Sequence, residues 1–458
     1  MTRILFALAA LVLSSGAYSQ HGASASNMAL LGHDDLQARS AYQPVIHHQG
    51  GRWIAYIGHH GGRTLNALTG REEDSGTSIV DVTDPRAPRY VAHIPGEPGQ
   101  GETGGAQMVR VCNGKALPKG DPAKVYLLRT FGNLAHEVWD VSAPEKPSRV
   151  VVVVDKLRNT HKNWWECDTG IAYLVSGVPE WRTRRMTQVF DLSDPARPVL
   201  IRNFGLPGQQ PGGAGNVPTE LHGPISTGPK GNRVYFGYGT NKSGVLQIVD
   251  RAKLLAGPHE PTPANLAAPQ VARMDLPAWN GAHTTLPVLG MDLPELAKDQ
   301  GANRRDFVFI VNESLVNECQ EPRQMVFVAD VTDEKVPVGV ATFNVPESPG
   351  QFCSRGGRFG SHSSNENQPP MYANQFIFVA WFNAGVRAVD IRDPFHPREV
   401  AYYIPATTDR TDKRCIKTGT GERCKIAIQT NNVEVDERGY VYIVDRANTG
   451  MHILQFQR

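Results

Sequence analysis

One phrase recurs along this chain and limits what it can fold into. It reads Ile79-Val80-Asp81-Val82-Thr83-Asp84-Pro85, with Pro88 three residues on. It returns as Val138-Trp139-Asp140-Val141-Ser142-Ala143-Pro144, as Val189-Phe190-Asp191-Leu192-Ser193-Asp194-Pro195 and as Ala388-Val389-Asp390-Ile391-Arg392-Asp393-Pro394. Val328-Ala329-Asp330-Val331-Thr332-Asp333 keeps the frame and reaches its proline at Pro337, while Ile248-Val249-Asp250 is a weaker copy without the turn. The shared aspartates lie at 81, 140, 191, 250, 330 and 390, with gaps of 59, 51, 59, 80 and 60. In each copy a β-branched, apolar run reads as a strand. Ser/Thr-Asp-Pro then starts a turn, because Asp or Ser caps it and Pro presets φ. A second strand follows and another apolar strand lies upstream, with room for a fourth. A period of roughly 55–60 residues suits one four-stranded blade.

The phrases give six blades. Residues 439–445 and 451–456 read as strands of a seventh, which then lacks one strand. The segment around Met28 to Leu31 supplies it, pairing near Ala29 beside Ile453. The expected fold is therefore all-β, a seven-bladed β-propeller closed by an N-terminal strand. Residues 20–42 close the ring, and the blades span about 43–96, 97–155, 156–206, 207–277, 278–346, 347–406 and 407–458. Two insertions, 252–269 in blade four and 286–303 in blade five, account for the long gap and read as surface loops.

Residues 1–19 read as a secretory signal peptide: Arg3, an apolar run over 4–13, then Ala17-Tyr18-Ser19 before Gln20. The run is shorter than the roughly 20 residues a bilayer span needs. The first cysteine is Cys112, far from the cleavage site, so a lipid anchor is not expected and the mature chain should be periplasmic or secreted, without a membrane span. Six cysteines suit an oxidising compartment. Spacing alone allows 15 pairings. Cys415–Cys424 reads as a local staple, and Cys112–Cys167 and Cys319–Cys353 would each join adjacent repeats. Net charge is +2, from 47 basic and 45 acidic residues, so a nucleic-acid partner is not expected.

The repeated phrase resembles the LVIVD repeat of surface or exported bacterial and archaeal proteins, over nearly the whole mature chain. The resemblance implies a propeller in which the Asp and Pro positions are structural, and it implies no catalytic residue. Turn and strand-end hydrogen bonding is the reading given to Asp81, Asp140, Asp191, Asp330 and Asp390.

Chemistry would sit on the inner strands, which line a propeller's channel. His161 in Asn159-Thr160-His161-Lys162-Asn163, His222 in Glu220-Leu221-His222-Gly223, His283 in Ala282-His283-Thr284 and His362 in Ser361-His362-Ser363-Ser364-Asn365-Glu366 are separated by 61, 61 and 79 residues. These spacings follow the repeat and its long gap, so the four imidazoles should occupy equivalent places. Neutral imidazole suits zinc, copper, iron or nickel, with copper or zinc the expected ion. The competing reading is channel-lining hydrogen bonding. Glu102 (assigned to blade two), Asn163, Glu366, Asn432 and Glu434 are further channel-lining candidates. His47 and His48 fall a few residues out of frame, and His59, His60 and His93 read as loop or strand-end residues. With its channel-type histidines and Asp-Pro turns, the chain is also loosely similar to selenium-binding-type methanethiol oxidases, which implies a histidine-held metal, usually copper, but no residue-by-residue assignment.

Other motifs are missing or out of context. The Gly-rich stretch 99–105 has no following helix, Gly360-Ser361-His362-Ser363 is not a nucleophile elbow, and His-Glu-x-x-His does not occur. Trp164, Trp165, Trp181 and Trp279 read as blade packing rather than a sugar platform. The sequence leads first to a monomeric cell-envelope binding or scaffold module, presenting a propeller face to a protein, glycan or small molecule, with no certain cofactor. The alternative is a copper- or zinc-dependent, oxidase-like enzyme working through the channel histidines.

Overall fold

Valine-rich strands that would be amphipathic in a simple sandwich are apolar on both faces here, because each sheet is packed between two others. In the second strand of blade one, Ile54 and Tyr56 face blade two, while Ala55 and Ile57 face blade seven. Successive side chains point to opposite faces of a strand, so a sheet covered on both sides reads as an unbroken apolar run. The computed structural model describes residues 22–293, 304–348 and 350–458. The expected signal peptide, residues 1–19, and residues 294–303 of the second insertion lie outside them.

Seven four-stranded antiparallel sheets follow one another along the chain. Their first strands are Ala41–Gln49, Val109–Asn113, Asn163–Trp165, Leu221–Ser226, Thr284–Asp292, Ser363–Ser364 and Thr430–Val435. Each first strand packs against the first strands of both neighbouring blades, and the last packs against the first, so the ring is closed about one axis. Seven separate apolar clusters fill the seven inter-blade interfaces. The fold is a seven-bladed β-propeller. Met28–Asp34 pairs with Met451–Phe456 as the outer strand of blade seven, with Ala29 opposite Gln455 and Gly32 opposite Ile453. Ser24–Ser26 continues onto blade six as a fifth strand beside Arg398–Ile404, an addition with no counterpart in the repeat.

The repeated aspartates close turns. The Oδ1 atoms of Asp81, Asp140, Asp191, Asp330 and Asp390 accept the backbone N–H two residues on, at 2.7–3.0 Å. Asp250, in the copy without the turn, instead accepts from Lys253 N–H at 2.9 Å and caps the helix Arg251–Ala256. The blade-four insertion, expected as loop, thus holds two short helices, Arg251–Ala256 and Pro263–Ala267. In blade five, residues 286–292 belong to the strand Thr284–Asp292. Three disulfides join Cys112 to Cys167, Cys319 to Cys353 and Cys415 to Cys424.

Several expectations need correction. Glu102 is not on blade two's inner strand; it lies in Gly101–Ala106, which pairs with the end of blade one's second strand, Arg52–Gly61. Gly105 permits this, since its φ is +80° and a Cβ there would meet the His59 carbonyl oxygen at 2.3 Å. His59 and His60 sit within Arg52–Gly61 and His93 within Arg89–Ile94, all paired in the sheet. His59 Nε2 lies 2.7 Å from Ser78 Oγ, and His93 Nδ1 lies 2.8 Å from Glu73. Trp165 and Trp181 are buried packing residues, whereas Trp279 is 62% exposed.

Candidate metal centre

The inner strands bring equivalent residues together at the face where each strand begins. His161, His222, His283 and His362, expected as neighbours from their spacing, form a buried row with ring centroids 4.5, 3.7 and 4.3 Å apart. His161 Nε2 lies 2.9 Å from His222 Nε2. Blade one contributes Tyr42 at this level rather than His47 or His48, which lie further along the same strand. The Tyr42 hydroxyl is 3.2 Å from His161 Nε2 and 3.5 Å from His283 Nε2. Blade two contributes Gln107: the carbonyl after it, on Met108, accepts from Thr130, as the carbonyl after His161, on Lys162, accepts from Val175. Asn431 holds blade seven's place, and its carbonyl lies 2.5 Å from His362 Nδ1.

Hydrogen bonding fixes how two of the rings present themselves. His222 Nδ1 lies 3.0 Å from the His283 carbonyl, and His362 Nδ1 faces the Asn431 carbonyl. A carbonyl only accepts, so each Nδ1 carries the proton and each Nε2 of the neutral ring presents a lone pair to the cluster. A backbone carbonyl on the far nitrogen is the support that metal-ligating histidines ordinarily have. Burial holds all four imidazoles well below their usual range, so they are neutral at neutral pH. His362 Nε2 has no hydrogen-bond partner, a costly state for a fully buried nitrogen unless a ligand fills it.

Loops roof this cluster. Glu313, from the loop after Arg304–Val311, reaches His222 and His283 closely enough for ligand atoms of all three to lie within 4.8 Å of one another. Its Oε1 is 3.7 Å from His362 Nε2 and 3.1 Å from Arg358 Nη1. Burial raises the Glu313 carboxyl, opposed by Arg358. At the rim, His60 Nε2 and Arg446 Nη2 approach Glu102 Oε1 at 3.4 and 2.9 Å. Burial, with Arg446 adding to it, pushes His60 down to about 4. The roof loops carry two disulfides, and Asn317 Nδ2 donates to the Cys415 carbonyl at 2.9 Å, tying them together.

A second polar layer lies further along the inner strands. Glu366 accepts from Arg110 and from Lys162 Nζ, the latter at 2.5 Å, and Lys162 Nζ also reaches Thr284 Oγ1 at 3.0 Å. Gly223 makes room for Lys162, whose Cδ would lie 2.5 Å from a Cβ at that position. Thr284 Oγ1 lies 2.9 Å from His283 Nδ1, so the two layers are joined by hydrogen bonds. Burial would raise the Glu366 carboxyl, but Arg110 and Lys162 bring it down to about 2. Burial and then Glu366 push Glu434 up to about 8. Asn432 Nδ2 donates to Gln43 Oε1 at 2.6 Å, and both polar side-chain atoms of buried Asn163 lack partners.

Of the expected residues, then, the four histidines share one cluster, Glu102 stands at its rim, and Glu366, Glu434, Asn163 and Asn432 are buried beyond it. Tyr42, Glu313, His60, Arg358 and Lys162 escaped the reading of the sequence. Tyr42 was findable, since Ala41-Tyr42-Gln43 begins blade one as Leu221-His222-Gly223 begins blade four. Glu313 was not, because it comes from a loop outside the repeat.

The residues suit a transition-metal ion. Two lone pairs are aimed by backbone carbonyls, one of those nitrogens is orphaned, and a carboxylate stands beside them. No protein-family model matches the chain, and no curated protein is similar to it. Among solved structures it is similar to Saccharomyces cerevisiae Sqt1, at 8% identity and a TM-score of 0.47 over 93% of this chain and 98% of that one. It is similar to Chaetomium thermophilum Sqt1 at 9% identity and a TM-score of 0.49, over 93% and 97%. At such identity and superposition the likeness carries no argument about what this chain does.

Proposed function

We propose that this propeller, of the exported LVIVD-repeat kind, binds a copper or zinc ion through His161, His222, His283 and His362 and acts on a small molecule at that site. The observation that carries the reading is the buried histidine row, in which His222 and His362 are backed by carbonyls at Nδ1 and ligand atoms of His222, His283 and Glu313 lie within 4.8 Å of one another. Bound copper would supply redox chemistry and zinc Lewis acidity. The chain's own residues orient and shield. The Asn431 and His283 carbonyls fix two rings, Glu313 offers a carboxylate, and the roof loops exclude water. Tyr42, whose phenol burial holds well above its usual range, keeps its proton beside His161 and His283.

Metal analysis of protein purified from the periplasm tests this. One metal per chain, lost in His161→Ala/His222→Ala, is the expected result. Metal-free protein whose melting temperature does not respond to added Cu or Zn would remove the proposal, since a folded-state ligand must raise stability. A second reading, a binding module, draws on Trp279, Leu315 and Val316, exposed on the loops of the roofed face. Pull-down by an immobilised wild-type chain but not by Trp279→Ala would favour it.

A further inference from the structure

Arg185 is a buried arginine with no ion-pair partner among the described residues. It is 6% exposed, and its side chain makes one hydrogen bond among the described residues, from Nε to the Asn159 carbonyl at 3.2 Å. It forms no ion pair there, whereas Arg358 and Arg446 on the same face are each paired with a glutamate. A buried guanidinium with no carboxylate at ion-pair distance is costly, and the carboxylates whose charges act on Arg185, Glu220 and Glu102, do so from longer range. Its place is set between two of the imidazoles. Asn159 lies two residues before His161, and the Arg185 carbonyl accepts from Leu221 N–H, next to His222, at 3.1 Å. Its charge reaches Tyr42, His161 and His222.

Its chain neighbour Arg184 lines a groove of about 310 Å³ between blades three and four, together with Arg182, Lys242, Glu220 and Thr240 among others. Arg184 is held by Glu220, with Nε at 2.6 Å. Arg182 spends its hydrogen bonds on the Gly208, Ala214 and Gly215 carbonyls, and exposed Lys242 forms no ion pair among the described residues. The groove is therefore cationic. It adjoins the cluster, because Thr240 offers the carbonyl that accepts Glu313 N–H at 3.0 Å.

We infer that the substrate of the channel site is a small organic carboxylate, drawn in along the Arg182–Lys242 groove and held by its carboxylate on Arg185, with its remainder toward the histidines. Guanidinium offers a planar fork that matches a carboxylate, and a cationic groove raises the local concentration of anions. The inference rests on the channel being the site of action, but it does not need the metal to be bound.

Calorimetric titration of the full chain, freed of metal by chelator, with benzoate, its neutral isostere benzamide and inorganic phosphate tests it. Saturable one-to-one binding of benzoate is expected, with none of benzamide, and a weakening of at least about tenfold in Arg185→Met. Arg182→Gln/Lys242→Gln, altered only at the groove, should weaken benzoate about threefold and make the residual affinity less salt-dependent. Metal stoichiometry in Arg185→Met should equal that of the wild type. Equal benzoate affinity in Arg185→Met, benzamide binding as well as benzoate, phosphate binding in preference to benzoate, or no saturable benzoate binding would each overturn the inference. Loss of metal binding with benzoate binding intact would instead sink only the metal proposal.

Discussion

Lys162 Nζ sits 2.5 Å from Glu366 Oε1 across the propeller axis, both side chains nearly fully buried and 204 residues apart in the chain. Arg110 reaches the same carboxylate from blade two. One carboxylate thus pairs with two cations from different blades, and the three side chains together tie blades two, three and six.

Removing the shared anion should therefore cost more than removing one cation. Glu366→Gln leaves Lys162 and Arg110 without their carboxylate and should lose about 3–5 kcal/mol of stability. Lys162→Met leaves Glu366 still paired to Arg110 and should lose less. Urea denaturation of the two variants checks the order; equal losses would mean that the charges do not act as a unit.

Glu434 should impose a pH dependence of its own. Its carboxyl is raised from 4.5 to about 8 by burial and by Glu366. Between those values the unfolded chain has released the proton and the folded chain keeps it. Stability therefore falls as pH rises through this window, by about 1.4 kcal/mol per pH unit from this group, and levels off above pH 8. Denaturation from pH 5.5 to 8.5 should show a shallower fall in Glu434→Gln than in the wild type; matching slopes would rule this out.

The N-terminal strand should hold the ring shut. Without residues 22–34, the edges of Met451–Phe456 and Arg398–Ile404 lie open. A chain lacking them should melt at least ~5 °C lower and aggregate with increasing concentration. An unchanged melting curve would show that the ring closes without it.

The disulfides should separate roof from wall. Cys319–Cys353 ties the loop carrying Glu313 to the loop carrying Arg358, whereas Cys112–Cys167 joins the inner strand of blade two to the turn after the inner strand of blade three, away from the roof. Replacing either pair with serines should cost about 2–4 kcal/mol. Only the Cys319/Cys353 pair should also weaken metal binding, about tenfold or more by competitive chelator titration.

The chain's own order of residues determined the blade count, the strand-turn-strand phrase and the closing strand near Ala29. It could do so because a turn closed by Asp81 or Asp390 is a local matter of two residues, and a sheet buried on both faces leaves an unbroken apolar signature. It also placed His161, His222, His283 and His362 at equal depth, since a repeat turns sequence spacing into rotation about an axis. Only the tertiary structure decided that Glu102 stays with blade one and that Glu313 and Arg185 are buried near the histidines. Those residues come from connections free of the repeat, and where a loop side chain ends up is set by the packing of distant segments against one another.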